Sequence, residues 1–433
     1  MTAIPAGFKV DPLIAEARRR QRRRRVVLAA VAVALVVAGA GGWRLRTRSS
    51  SPSVRVERLA IAQAARRATV VEEGMTGGVG WAMNGLGLWL TADDGQTWLA
   101  ATPPHVQNAG DAVARIEQIQ FVDPQHGWLT AADVFGGFPI PKNAAGLRHE
   151  EIDRTADGGR TWKASVPPGC LQVCGATYVS FLDPQVGFAI ATKGLFATSD
   201  GGATWRRISQ PPFVGAIAFL DENHAFGVSD PAKWVGAQYD VPVGGGVLYR
   251  TDDGGRNWAR IVLPAPVAYA SWRRTTDPAT FFDSRNGVVP VRFRNPTTQA
   301  ERLVVYTTAD GGSTWETHPA PADVSWWPPN WGVPVTSYFS AANPRDWVVT
   351  DRTALHVTTD GGRSWRTIHP RDLPVGGSIW SAMFSSATDG WAIFALAGED
   401  GEAALVHTTD GGRDWTPLTP PVPKSNPPLP HGR

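Results

Sequence analysis

The chain has 433 residues, of which 42% are hydrophobic, and a formal net charge of +3 at pH 7. The positive charge is concentrated at the N-terminus. Residues 1–50 hold 11 Lys or Arg against 2 Asp or Glu, a net +9, which leaves −6 for the other 383 residues. A short basic tail is suited to anionic lipid headgroups, and the acidic remainder gives no support to nucleic acid as a partner.

The first element in chain order is a candidate membrane anchor. An Arg-rich run at 18–25 precedes the uncharged segment 26–43, whose 18 residues approach the minimum for a membrane span. Seven Arg before this segment against three after it predict a cytoplasmic tail at 1–25, a transmembrane helix at 26–43 and an extracytoplasmic remainder, as a single-pass protein of the cell membrane. A signal peptide cleaved near 38–40 is the alternative. The polar segment 44–66 is expected to be a linker.

One octapeptide pattern, Thr-x-Asp-x-Gly-x-x-Trp, occurs seven times between residues 91 and 415. Each copy lies between two short extended runs, which predicts a turn that joins two strands. The Asp can accept backbone N–H groups and the Gly can adopt a positive φ, so the turn is expected to stabilise itself. The large, mostly apolar Trp is expected to pack as a wedge between neighbouring units. The aspartates are Asp93, Asp157, Asp200, Asp253, Asp310, Asp360 and Asp410, and the tryptophans are Trp98, Trp162, Trp205, Trp258, Trp315, Trp365 and Trp415.

A second motif precedes the octapeptides and predicts another turn in each unit. Its fullest copies are 121–128 and 181–188, in which Phe, Asp-Pro and Gly are followed by an aromatic residue. A tight turn at this point adds a first and a second strand to each unit. Seven four-stranded units over 67–420 predict an all-β fold, a seven-bladed β-propeller, followed by a Pro-rich tail at 421–433. The ring could close with 67–73 as an ordinary first strand, or with 54–61 as a latch beside the last blade.

These motifs resemble the Asp-box repeat, also called the bacterial neuraminidase repeat, of the sialidase-like superfamily. The paired Gly-Trp and Thr-x-Asp-Gly-Gly-x-x-Trp patterns are similar to those of the photosystem II assembly and stability factor family. The resemblance implies a propeller over about 350 residues. It implies little about activity, because such repeats occur in sialidases, xyloglucanases, sorting receptors and assembly factors.

The long connections of the predicted propeller all belong to one face. In a four-stranded blade, the connection between strands 2 and 3 and the connection to the next blade emerge on the side opposite the octapeptides. These connections carry candidate partner-binding aromatic residues, which could anchor a protein or stack on sugar rings. The alternative is that they fold back as lids over blade edges. The candidates are Trp234, Tyr239, Trp272, Trp326, Trp327 and Trp331.

Two smaller sets of residues complete the candidates. Arg160, Arg256, Arg363 and Arg413 occupy the same position in four octapeptides and could form a ring that binds an acidic peptide, although solvated turn positions are the plainer interpretation. Cys170 and Cys174 are expected to form a local disulfide in an oxidising compartment, and a redox-active pair is the alternative.

No catalytic residue, cofactor or metal site is predicted. The nine His include no His-Glu-x-x-His motif, and the Gly-Gly pairs lie in hairpins rather than in phosphate-binding loops. The sialidase catalytic set cannot be placed on this chain, because the early Arg-Ile-Pro motif is absent. The sequence therefore favours a non-catalytic scaffold that binds another envelope or membrane protein, with a glycan-binding or glycoside-hydrolysing propeller as the alternative.

Overall fold

The computed structural model describes residues 52–421 with internal gaps. The gaps fall at 68–71, 77, 85–86, 105–112, 135–150, 169–177, 230–232, 236–237, 241–245, 322–337 and 398–401. The predicted tail, transmembrane segment and Pro-rich tail lie outside the described residues, except for residue 421. In the part that is described, no helix combines the length and the apolar character that a membrane span requires.

The described strands form one two-stranded hairpin and seven antiparallel sheets of four or five strands, which are the seven blades of a β-propeller. Blade 1 contains β1 (Glu72–Thr76), β2 (Val79–Asn84), β3 (Gly87–Thr91) and β4 (Leu99–Ala100). Blade 2 contains β5 (Val113–Phe121), β6 (Gly127–Val134), β7 (Ile152–Thr155) and β8 (Lys163–Ser165). Blade 3 contains β9 (Tyr178–Phe181), β10 (Gly187–Ala191), β11 (Gly194–Thr198) and β12 (Arg206–Ser209).

The remaining blades include two irregularities. Blade 4 contains β13 (Gly215–Phe219), β14 (Ala225–Ser229), β17 (Leu248–Thr251) and β18 (Ala259–Ile261), with the extra hairpin β15 (Lys233–Val235) and β16 (Gln238–Asp240) between its second and third strands. Blade 5 has an interrupted first strand, β19 (Arg273–Thr276) and β20 (Thr280–Phe281), followed by β21 (Gly287–Arg294), β22 (Glu301–Thr308) and β23 (Glu316–Pro319). Blade 6 contains β24 (Phe339–Ala341), β25 (Trp347–Thr350), β26 (Leu355–Thr358) and β27 (Arg366–Ile368), and blade 7 contains β28 (Ser378–Phe384), β29 (Gly390–Ala395), β30 (Ala403–Thr408) and β31 (Thr416–Pro417).

The seven hydrophobic clusters of the propeller each contain residues of two adjacent blades. Each cluster also contains the octapeptide Trp of one blade. Trp162 packs with the residues of blades 1 and 2, for example, and Trp205 with those of blades 2 and 3. The core of this fold is therefore a series of interfaces between blades, and the octapeptide tryptophans lie in all seven of them.

The ring closes by contact between complete blades. All four strands of blade 7 come from the continuous segment 378–417, and blade 1 begins with β1, so among the described residues no strand from one end of the chain completes the blade at the other end. The closing interface is apolar: the rings of Trp98 and Trp391 lie 5.8 Å apart, and Trp391 is buried against Ala82. An ordinary first strand thus closes the ring, and the alternative of a latch strand at 54–61 is wrong.

Residues 52–67 form a helix, α1 (Pro52–Arg67), in the segment expected to be a polar linker. Ile61, Ala64 and Ala65 follow helical spacing and are buried against β30 and β31. Two of the three buried residues are alanines, and other apolar residues such as the exposed Leu59 lie outside this stripe, so the amphipathic pattern of the helix is weak in the sequence. Packing against blade 7 supplies stability that a 16-residue helix lacks in isolation.

Candidate functional site

The two faces of the propeller differ in how their turns are held. On one side, here called the turn face, the turn between strands 1 and 2 accepts a backbone hydrogen bond from the octapeptide turn of the same blade. In blade 2, for example, Gly158 N donates to Gln125 O at 2.9 Å. Equivalent bonds, from Gly201, Gly254, Gly311, Gly361 and Gly411, occur in blades 3 to 7. The opposite side, here called the loop face, carries the connections between strands 2 and 3 and between blades.

Each octapeptide Asp is saturated by hydrogen bonds from its own turn. Asp310 accepts the hydroxyl of Thr308 at 2.9 Å through Oδ1, and it accepts the backbone N–H and the hydroxyl of Thr314 at 2.9 and 2.7 Å. These donors, with the Thr314 hydroxyl as the largest contributor, lower the pKa of Asp310 to about 2. Asp157 and Asp200 have the same environment and also have pKa values of about 2. The carboxylates therefore stabilise the turns and have few acceptor sites left for a ligand.

Five of the octapeptide tryptophans place their indole N–H groups in two ways, whereas those of Trp98 and Trp365 are buried without a hydrogen-bond partner among the described residues. Trp162 Nε1 donates to the carbonyl of Ala101 in blade 1 at 2.7 Å, and Trp205 Nε1 donates to the Ser165 hydroxyl in blade 2 at 3.1 Å. Trp258, Trp315 and Trp415 donate instead to a glycine carbonyl of their own turn. These indoles thus act within and between blades, and they are not presented to solvent as a binding surface.

The four matched arginines fold back on their own turns. Arg160 and Arg256 each donate from Nη1 to the carbonyl of the octapeptide Asp, at 2.8 and 2.6 Å. Arg363 and Arg413 do the same at 2.9 and 3.1 Å. All four are exposed and lie one to a blade in blades 2, 4, 6 and 7. The structure therefore shows each guanidinium as a cap on its own turn.

Only one of the candidate aromatic side chains on the loop face is described, and it packs as a lid. The Trp272 ring lies 5.0 Å from the ring of Tyr269, which stacks at 5.4 Å on the buried Phe293 of blade 5. Trp234 and Tyr239 are opposite each other in the extra hairpin of blade 4. Trp326, Trp327, Trp331, Cys170 and Cys174 lie outside the described residues.

Polar side chains that join neighbouring inner strands were not predicted from the sequence. Gln118 of blade 2 bonds both the N–H and the carbonyl of Val179 in blade 3, at 2.8 and 2.9 Å. Ser340 of blade 6 accepts the Phe384 N–H of blade 7 at 3.0 Å. Polar residues on the inner strands were the available signal, but only the ring geometry shows which strand each one faces.

The closing interface contains a buried carboxyl group. Glu73 on β1 is 1% exposed, and the Ser381 hydroxyl of β28 lies 2.7 and 2.8 Å from its two carboxyl oxygens. Burial raises the pKa of Glu73 to about 7, and the hydrogen bond from Ser381 lowers it in part. The group is enclosed between two inner strands, where a substrate would have no access, so we assign it to ring closure.

A charged cluster joins blades 5 and 6. Arg292 contacts both carboxylate oxygens of Asp277 at 3.2 Å, its guanidinium lies 5.4 Å from the centre of the Tyr338 ring, and the Tyr338 hydroxyl also donates to Asp277. Burial raises the pKa of Tyr338, and the neighbouring Asp277 raises it further. Because Asp277 interrupts the first strand of blade 5, the pairing of these residues was not evident in the sequence. Each member has a partner within the cluster, which indicates a structural role.

The connection between blades 4 and 5 exposes apolar and basic side chains on the loop face. It contains a short 3-10 helix, Val267–Tyr269, whose Val267 is 96% exposed. Arg273 and Arg274 follow at the start of β19. Among the described residues, no three His, Cys, Asp or Glu side chains come together as a metal site would require. The described part of the loop face thus offers surface for contact rather than a group of reactive side chains.

The structure is thus a seven-bladed β-propeller. Hydrogen bonds within each blade hold the turns of its turn face, and its loop face carries the connections between strands 2 and 3 and between blades. No protein-family model matches the chain, and no curated protein matches it. Solved structures do match. YCF48 from Cyanidioschyzon merolae has a TM-score of 0.47 and 12% identity, over 79% of this chain and 96% of that one. YCF48 bound to a D1 peptide has a TM-score of 0.46 and 18% identity, over 71% of this chain and 81% of that one.

A prolyl endopeptidase has a TM-score of 0.50 and 11% identity, over 84% of this chain and 53% of that one. This chain therefore spans about half the length of that enzyme. The likeness to the endopeptidase concerns the fold alone. The two YCF48 structures have TM-scores below 0.50, so their likeness carries no argument about function. The matched propellers include an enzyme and a protein seen with a bound peptide, so the comparison does not decide whether this chain is an enzyme.

Proposed function

We propose that this protein is a non-catalytic, protein-binding scaffold of the cell envelope, held in the membrane by its N-terminal segment with the propeller outside. The asymmetry of the two faces is the observation that carries the proposal. The octapeptide aspartates and the matched arginines of the turn face are bonded within their own turns, whereas the loop face exposes Val267 and Val375 at 96% and 84%. Exposed apolar residues beside basic ones are typical of surfaces that bind proteins.

The environments of the buried carboxyl groups support a non-catalytic role. Glu73 and Asp153 both have pKa values raised to about 7 by burial, a range suited to acid-base chemistry. Each is 1% exposed, however, and lies within a strand of a blade. A substrate on either face would not reach them, so their shifted pKa values reflect burial in the sheets.

The membrane anchor and the repeat family are parts of the same proposal. The anchor rests on the uncharged segment 26–43 and the arginines before it. Membership of the Asp-box repeats rests on seven octapeptides in which the same Thr and Asp hydrogen bonds recur. Fractionation of cells followed by protease treatment of intact spheroplasts tests the topology, since the propeller should be digested and the N-terminal tail protected. Digestion of the tail alone would contradict it.

Cross-linking of the full-length protein in its native membrane, followed by purification in detergent, tests partner binding. Replacement of Trp326, Trp327 and Trp331 by Ala should remove a specific cross-linked partner, because aromatic residues contribute strongly to such interfaces. A matched variant with Arg160 and Arg363 changed to Gln alters the turn face and should retain it. An unchanged partner in the Trp variant, or loss of the partner in the Arg variant only, would contradict the use of the loop face.

A glycan-binding or glycoside-hydrolysing propeller is the second candidate. The sequence Trp-Trp-Pro-Pro-Asn-Trp at 326–331 favours it, because closely spaced tryptophans can stack on sugar rings. A glycan array and a panel of chromogenic glycosides distinguish this candidate from the first. Saturable glycan binding that is lost in the Trp variant would support it, whereas neither binding nor turnover would eliminate it.

A further inference from the structure

A small cavity lies at the loop-face ends of blades 4 and 5. Its volume is about 110 Å³, and its walls come from β17, β18 and β19 with the residues beside them. Gly246 lies so close to the backbone of Thr276 that an added Cβ would come within 2.2 Å of its carbonyl oxygen. Because about 10–15 Å³ suffices for one water molecule, the cavity has room for a compact ligand of a few heavy atoms.

Two arginines line this cavity without a carboxylate partner. Arg274 is half-buried and donates from Nη1 to the Leu263 carbonyl at 2.8 Å, while Arg260 is exposed. Among the described residues neither one forms an ion pair, although Arg292 of the same blade as Arg274 pairs with Asp277. A half-buried guanidinium with unused donors at a cavity wall is a favourable site for an anion.

The other walls of the cavity are apolar. Leu248 and Leu263 are buried and line it together with Ile261. A hydrated ion such as phosphate could contact the guanidinium groups, but it would lose water against these apolar side chains, which offer it no compensating contact. A ligand with a carboxylate at one end and a short hydrocarbon chain at the other would satisfy the guanidinium groups and the apolar wall together.

We propose that the cavity between blades 4 and 5 binds a small carboxylate that bears a short apolar chain. The carboxylate faces Arg274 and Arg260, whose planar guanidinium groups match its geometry, and the chain lies against Leu248, Ile261 and Leu263. Two sources supply this chemistry, a free short-chain acid and the terminal carboxylate of a polypeptide. The site does not depend on the scaffold function proposed above.

Saturation-transfer NMR and calorimetry on the full-length protein in detergent test this site. The probes are isovalerate, its uncharged amide isovaleramide, inorganic phosphate, and a short peptide ending in Val as the free acid or as the amide. Isovalerate should bind with a dissociation constant on the order of 1 mM, as expected for so few heavy atoms, and the amides at least about tenfold more weakly. Tighter binding of the peptide acid than of isovalerate assigns the source to a polypeptide, and the reverse assigns it to a free acid.

Two variants locate the binding. Arg274→Gln removes the charge from the half-buried side chain, and Arg260→Gln alters an exposed side chain that has no hydrogen bond within the described residues. Arg274→Gln should weaken isovalerate binding at least about tenfold, the loss expected when a desolvated charge pair is removed, and Arg260→Gln should weaken it by a smaller factor because its side chain is exposed. Arg274→Lys should recover part of the affinity. Arg206→Gln, at an exposed position of blade 3, is the matched control and should bind normally.

The proposal fails if isovalerate does not bind, if its amide binds equally well, or if phosphate binds with the same affinity. It also fails if both Gln variants bind isovalerate like the unmodified protein while their thermal unfolding is unchanged. If isovalerate does not bind, the scaffold function is still tested independently by cross-linking of the Trp variant. Conversely, a scaffold that finds no partner would not alter the affinity for isovalerate.

Discussion

At the scale of single residues, the octapeptide turn explains why this chain repeats Asp, Gly and Thr so regularly. The carboxylate of Asp310 collects hydrogen bonds from residues two and four positions away, and Gly312 has a φ of +83° that L side chains rarely adopt. All of these requirements are local, so each turn forms from its own eight residues. The octapeptide aspartates must therefore be ionised to accept all of the hydrogen bonds in their turns.

We expect Asp310→Asn to lower the thermal unfolding temperature at neutral pH, because the amide cannot accept at both of its terminal atoms. The low pKa of Asp310, about 2, means that the ionised group stabilises the fold above the ordinary pKa of an aspartate and loses this contribution as the pH falls towards 2. The difference between variant and parent should therefore shrink below about pH 4. Unfolding curves between neutral and acidic pH measure this difference, with exposed Glu316→Gln as the control. A difference independent of pH would contradict the explanation.

At the scale of elements, helix α1 is the part of the fold whose stability depends most on packing against other elements. Its buried stripe of Ile61, Ala64 and Ala65 packs on blade 7, and Arg58 Nε donates to the carbonyl of Arg371 at 2.7 Å. On the propeller side, Asp372 is fully buried and accepts the Trp415 N–H at 2.9 Å. The helix is thus held by an apolar contact and by a charged junction beside it.

Ile61→Ala should release the helix or weaken its packing. Removing most of a fully buried Ile side chain costs about 2–5 kcal/mol, which is comparable with the stability of a docked helix. Hydrogen exchange of residues 52–67 should become faster, while the blades stay protected. Leu59→Ala changes an exposed position of the same helix and should have little effect. Equal exchange in the two variants would show that the stripe does not hold the helix.

The charged junction should make helix packing depend on pH. Burial raises the pKa values of Glu57 on the helix and of Asp372, and the nearby Asp414 raises both further, while Arg58 lowers that of Asp372. Arg371, which contacts Asp414 at 3.2 Å, completes the charged groups at the junction. Carboxyl groups with raised pKa values oppose packing once they ionise, so packing should weaken as the pH rises above their ordinary range.

Asp372→Asn should therefore protect α1 better at neutral pH and reduce the pH dependence of its hydrogen exchange, since the amide is uncharged and its oxygen still accepts the Trp415 N–H. Asp389→Asn, in a turn of the same blade, is the control. Faster hydrogen exchange of α1 in Asp372→Asn at neutral pH would be opposite to the expected change and would contradict the explanation.

At the scale of the whole molecule, the ring depends on the interface between blades 7 and 1. Trp391, Trp98 and Leu418 supply apolar contact there, and the buried pair of Glu73 and Ser381 joins the two inner strands. Within the described part of the chain, no shared strand reinforces this junction. A group with a pKa of about 7 at this position couples the stability of the closed ring to pH near neutrality.

Glu73→Gln tests this coupling. Because the pKa of Glu73 is raised, its ionisation costs stability, and the parent protein should lose stability as the pH rises from the ordinary glutamate pKa of 4.5 to about 7, with little further loss above that. The Gln variant keeps a hydrogen-bonding partner for Ser381, and its free energy of unfolding should change less with pH. At alkaline pH it should be more stable than the parent by on the order of 2 kcal/mol. Denaturant unfolding at several pH values provides the measurement. Parallel pH profiles for the two proteins would exclude Glu73 as the group responsible.

The sequence by itself determined the seven blades, because the turns are stabilised by residues at most four positions apart and their spacing repeats along the chain. The tertiary structure alone decided which distant residues meet. It placed α1 on blade 7 and brought Asp277, Arg292 and Tyr338 together across blades 5 and 6. Contacts of this kind depend on the rotation between neighbouring blades, which a local pattern does not encode. The cavity beside Arg274 belongs to the same class, because its walls come from two blades that only the closed ring brings into contact.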